Sequence, residues 1–71
     1  MQAILRFDLG DPDDERLHRY ALAGRDALIA LERIGEHCRQ RIKYGEPTDA
    51  ARRELEAVRE LIPHELVELL A

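Results

Sequence analysis

Residues 17–42 read LHRYALAGRDALIALERIGEHCRQRI, and the spacing of their apolar and small residues decides the fold. Leu17, Ala21, Gly24, Leu28, Leu31, Gly35, Cys38 and Ile42 recur at alternating intervals of four and three. Such intervals lay side chains along one line of an α-helix, as in a heptad seam. Tyr20, Ala27 and Ile34 flank the line and widen it into the apolar stripe of a core-facing helix. The pattern keeps its phase through Gly24. One long helix over residues 12–44 is therefore expected. Gly24, which costs about 1 kcal/mol against Ala in a helix interior, is where it would kink. Small residues at 24 and 35 would let a second backbone come close.

Signals for both ends of this helix flank the seam. Asp11 is a good N-cap and Pro12 suits the first helical position. Asp13, Asp14 and Glu15 then place negative charge in the first turn, where the helix dipole favours it. Glu15 and Arg19 form a favourable i,i+4 pair. At the other end Arg39, Arg41 and Lys43 suit the negative pole. Gly45 is expected as a left-handed C′ residue, and Pro47 prevents continuation. Thr48 or Asp49 caps a second helix over residues 48–62, with Ala51, Leu55, Val58 and Ile62 on its apolar side. Pro63 breaks it, leaving a short terminal helix over residues 63–70 that carries Leu66 and Leu69. The connection at 45–47 is short enough to make the two main helices antiparallel neighbours.

Before the seam, Ala3, Leu5, Phe7 and Leu9 alternate with Ile4, Arg6 and Asp8, the period of a strand over residues 2–9. No second strand candidate exists in the chain. A lone strand leaves its backbone groups unpaired, so it is expected to pair with its copy across a two-fold axis. The expected fold class is mainly α with one N-terminal β-strand, in the order β-α-α. Residues 1–71 would form a single domain, a helical hairpin in a dimeric four-helix arrangement with strands paired between subunits. Leu22 and Ile29 sit about 120–145° from the centre of the stripe and need a cover of their own. Ala3, Leu5, Phe7, Leu9, Leu22 and Ile29 are therefore the candidate self-association or partner surface. Asp11, Asp13, Asp14 and Glu15 are the candidate acidic contact face, although helix capping alone accounts for them.

Seventy-one residues with a net charge of −4 constrain function further. A chain this short has a marginal core and leans on good helix packing or oligomerisation. The lone Cys38 excludes an intrachain disulfide and fits a reducing, cytoplasmic setting. No apolar run is long enough to span a membrane, and Met1–Leu9 carries no signal pattern. The acidic balance argues against direct nucleic-acid binding, for which Arg39, Arg41, Lys43, Arg52 and Arg53 would be the only footprint. His18, His37, Cys38 and His64 lack the i,i+3 or i,i+4 spacing of metal ligands, so neither metal nor cofactor is expected. The chain has no serine, and Cys38 falls on the seam, where a free thiol packs as a small hydrophobe. Glu32/Glu36 and Glu56/Glu60 read as solvated faces. Catalytic residues are not expected, and neither is an enzyme.

Phe7-Asp8-Leu9, the acidic turn Asp11–Glu15, Ala21-Leu22-Ala23-Gly24 and Arg41-Ile42-Lys43-Tyr44-Gly45 before a Glu/Arg-rich second helix together resemble short proteins encoded in bacteriophage and prophage genomes. The resemblance covers most of the chain. It implies a small stoichiometric protein that acts by binding in the host cytoplasm. Inhibition of a host nuclease or defence complex, as by an anti-CRISPR protein, is one such role. No functional residue carries over from it. The expected function is thus a homodimeric interaction module that binds and blocks a protein target, with acidic faces steering it toward a basic, nucleic-acid-binding one. An accessory subunit that only assembles is the alternative.

Overall fold

Helix α1 (Pro12–Tyr44) sets the length of the molecule. In the computed structural model, which describes all 71 residues, its 33 residues pass through Gly24 without interruption. At 1.5 Å per residue they span about 50 Å, and the long dimension of the whole chain is 51 Å. The Asp11 carboxylate accepts a hydrogen bond from the Asp13 N–H at 2.9 Å, which satisfies one of the free donors of the first turn. Pro12 fills the next position, where a missing N–H costs nothing.

The far end of α1 differs from the sequence expectation at one residue. Gly45 is not left-handed: its φ is −86°, and its N–H donates to the Arg41 carbonyl at 3.0 Å. The chain reverses one residue later, at Glu46, whose φ is 49°. Pro47 disfavours right-handed helical backbone at the residue before it, which stops the helix at this point but does not by itself call for a positive φ. The helical ladder therefore extends through Gly45, and the turn falls on Glu46.

Helix α2 (Asp49–Glu60) is capped by Thr48, whose Oγ1 accepts from the Ala51 N–H at 3.2 Å. It folds back along α1, so that Ile62, just past its end, lies against Gly35. Pro63 then turns the chain into α3 (His64–Val67) and a 3-10 turn at Glu68–Leu70. These last residues continue toward the middle of α1, where Leu69 and Leu70 border an open cleft with Leu28 and Ile29 that ends at Gly24 without touching it. The interior is thin. Cys38 is the only buried residue, and Leu28, Leu31, Gly35 and Ile42 of α1 and Leu55, Ile62, Val67 and Leu70 after it are half-buried.

The strand expected over residues 2–9 does not form, and the fold is all-helical. Pairing of strands between subunits goes with it. Residues 1–7 make no backbone hydrogen bond at all. With no ladder partner in the chain, the segment is anchored by side chains instead. The Asp8 N–H donates to Asp14 Oδ2 at 2.9 Å, and the Phe7 ring packs on His18 with centroids 5.3 Å apart. Of the alternating apolar residues only Phe7 is half-buried against the first turns of α1, while Ala3, Leu5 and Leu9 stay exposed.

Candidate interaction surface

The seam of α1 is covered over only part of its length. From Leu28 to Ile42 it faces α2, α3 and the terminal turn. Toward the N-terminus nothing lies over it. Leu17 is 52% exposed and Tyr20 63%, and Ala21 and Ala27 are exposed as well. Gly24 marks the edge of the covered part. These positions read in the sequence as core-facing, and in the folded chain they form an open apolar strip. The missed signal was length: the 12 residues of α2 cannot reach along the 33 of α1.

Among the six candidate surface residues, Leu5, Phe7, Leu9 and Leu22 come together. With His18 and Ala21 they line a shallow apolar groove between the N-terminal segment and α1. Leu22 remains 71% exposed there, and Leu5 and Leu9 are also largely open. Ala3 is exposed and does not line this groove. Ile29 is separate and half-buried: it shares a cleft with Leu69 and Leu70, the cover that its off-stripe position required. Groove and open strip meet at Ala21, so the N-terminal half of α1 presents apolar surface on two adjoining sides.

The acidic residues are engaged locally. Asp11 caps the helix and Asp14 accepts from the Asp8 N–H. Asp13 lies 3.7 Å from Arg16, and Glu15 is paired with Arg19 at 2.6 Å. Each therefore has a task in starting the helix.

On the opposite half of the molecule, Leu31, Glu36, Arg39, Arg59, Ile62 and His64 line a shallow groove of about 210 Å³. The Glu36 carboxylate accepts from Arg39 Nη2 at 2.7 Å, from Arg39 Nε at 3.1 Å and from Gln40 Nε2 at 3.1 Å. These bonds, Arg39 first and then Gln40, hold its pKa down from 4.5 to about 2. The same contact pushes the Arg39 guanidinium further up. Glu36 is thus a fixed anion with its oxygens already occupied, poorly suited to move protons near neutral pH. The Cys38 thiol is buried in the hairpin, away from solvent. Nowhere do three or more His, Cys, Asp or Glu side chains converge on a point that could hold a metal ion. No helix is long and apolar enough to cross a membrane.

Comparison with family models, curated proteins and solved structures finds no match. The surface itself is therefore the ground for a functional reading. It holds an open apolar strip, an apolar groove beside it, and polar clusters engaged in their own internal pairs.

Proposed function

We propose that this chain is a small, non-enzymatic binding protein of the phage or prophage type, which acts by seating a protein surface on the N-terminal half of α1. One observation carries the reading. Only Cys38 of 71 residues is fully buried, while Leu5, Leu9, Leu17, Tyr20 and Leu22 stand exposed within one end of the molecule. Apolar side chains gathered like this mark interaction sites, because leaving them in water forgoes the main favourable term of folding and association. The resemblance to short phage- and prophage-encoded proteins, mostly of unknown role, implies the same mode of action. A partner covered in this manner is blocked at that surface, which is how a chain without chemistry of its own would inhibit a host nuclease or defence complex. The free thiol of Cys38 favours a cytoplasmic setting.

A photo-crosslinking amino acid at Leu22, compared with one at the exposed Glu54 of α2, tests the reading in cells that express the chain. A protein adduct is expected from position 22 and none from position 54. Absence of any protein adduct at position 22 would overturn it.

A further inference from the structure

We infer that the occupant of the open strip is a second copy of this chain, with the N-terminal halves of the two α1 helices packed antiparallel about an axis between Ala21 and Gly24. The inference rests on the binding reading above in taking this end of α1 as an interface; it assigns the strip to self-pairing and leaves the adjoining groove of Leu5, Phe7, Leu9 and Leu22 for the target.

Area is the first ground. A folded monomeric protein of 8.2 kDa exposes about 4,500 Å² by the scaling of surface with mass. This chain exposes 6396 Å², an excess of about 1,900 Å² over that scaling. A standard specific interface takes about 800 Å² from each partner. The surplus is large enough for one such interface.

Continuity is the second. Leu17, Ala21 and Gly24 prolong the same line that Leu28, Leu31, Gly35, Cys38 and Ile42 present to α2 and the residues after it. The residues after Pro63 cover that line as far as Gly24. Another helix laid on the remaining turns would extend the hairpin's own interface without a change of face. The first turns of α1 from a second copy carry the matching apolar line.

Gly24 is the third. A Cβ built on Gly24 meets nothing within 4 Å, so no contact inside the chain requires glycine there. Gly35, on the same line, does have a neighbour, the Ile62 Cδ1 atom at 3.4 Å from such a Cβ. Glycine weakens a helix interior relative to alanine, and at position 24 the single chain offers nothing in return. A close-approaching helix from outside the chain does.

Shape fixes the orientation. The strip carries its large residues, Leu17 and Tyr20, at one end and its small ones, Gly24 and Ala27, at the other. Parallel packing would set Tyr20 on Tyr20 and leave Gly24 facing Gly24 across a gap. Antiparallel packing about a point midway between 21 and 24 sets Leu17 beside the copy's Leu28 and Ala21 beside its Gly24. The two small residues then meet at the crossing point with a leucine pair on either side, and the axes approach to the short end of the usual range of about 8–10 Å. The contact runs from Leu17 to Leu28, about 18 Å of helix, with the helices crossing at an angle so that the first turn of each clears the other's hairpin. Each hairpin extends away from the axis, so the two Cys38 sites lie far apart.

Sedimentation equilibrium of the purified chain at micromolar concentration tests the inference. Twice the 8.2 kDa of one chain is expected. A monomer at these concentrations would overturn the self-pairing, and a Leu22 adduct to a different protein would then leave the binding reading standing. Tyr20→Glu lies outside the hairpin and should give a monomer whose Cys38 stays protected from thiol reagents. A dimer as tight as the parent's would overturn the inference. Should Tyr20→Glu expose Cys38 and lose the hairpin, Gly24→Ala decides. A methyl group between closely packed helices should weaken the dimer about tenfold, with helix content equal or higher. An unchanged or tighter dimer would overturn the inference.

Discussion

Replacing Gly35 by alanine should stabilise the protein. Gly35 lies inside α1, where exchanging glycine for alanine is worth about 1 kcal/mol from backbone freedom alone. A Cβ there would stand 3.4 Å from Ile62 Cδ1, an ordinary contact with the movable tip of a side chain. Such a contact adds about 0.1–0.2 kcal/mol per atom pair and forces nothing aside. The sum is a gain of about 1 kcal/mol, or a Tm rise of about 4–8 °C for a domain of this size. Thermal unfolding followed by far-UV circular dichroism measures it. Protein concentration must be held fixed, because association couples to apparent stability. Gly35→Leu supplies the opposing case. Three further carbons would occupy the place of the Ile62 tip, and overpacking costs about 1–3 kcal/mol, so its Tm should fall. A fall in Tm for Gly35→Ala would refute the reasoning, since Ile62 would then be pinned and the contact between the two helices tighter than the 3.4 Å separation implies.

Two other outcomes follow from local geometry. Glu36, held down to about 2 by Arg39 and Gln40, binds its proton less readily in the folded chain than at its ordinary 4.5. A folded-state pKa below the unfolded one contributes stability that is complete above pH 4.5 and is lost as pH falls through about 2. Carboxyl NMR should find Glu36 titrating well below the other glutamates, and Arg39→Met should return it toward them; a midpoint unmoved by that change would contradict the assignment. Glu46→Gly should raise stability by about 0.5–1 kcal/mol, because a left-handed L-residue costs about 1–2 kcal/mol and glycine's added unfolded freedom takes back only part. Urea denaturation would show a higher midpoint at unchanged slope, and a lower midpoint would mean that the Glu46 side chain contributes something its backbone conformation does not reveal.

Helix was easy to read in this chain because its signals are local. Asp11-Pro12 stands at the start of α1 and Thr48 at the start of α2, and each cap acts on N–H groups two or three residues away. The strand was misread because its signal is incomplete. Alternation at Ala3, Leu5, Phe7 and Leu9 is the pattern of a half-buried strand, but a strand also needs a ladder partner that no stretch of 71 residues provides, and without it only Phe7 is half-buried. Asp14, six residues downstream, answers the Asp8 N–H instead. That pairing depends on how the segment turns at Leu9-Gly10, which no periodicity encodes. Likewise the seam showed which face of α1 is apolar, but how far that face is covered depends on the length of α2 and on where Pro63 sends the chain.

The two seam glycines separate what the chain does for itself from what it leaves to another molecule. Gly35 has a neighbour in Ile62, and alanine there is expected to add helix stability while leaving assembly alone. Gly24 has no neighbour within 4 Å, and alanine there should also favour the isolated helix. If helix propensity were the whole account, both changes would stabilise by about the same amount, roughly 1 kcal/mol, and neither would shift with protein concentration. If Gly24 is the crossing point of two α1 helices, its alanine variant must behave differently as concentration rises. It should be the more stable of parent and variant where the chain is monomeric. It should be the less stable where the parent is dimeric, since the methyl group then stands between two backbones. A crossover in Tm with concentration for Gly24→Ala, and none for Gly35→Ala, is the signature that only an intermolecular contact at position 24 produces. Parallel curves for the two variants would assign both glycines to the single chain.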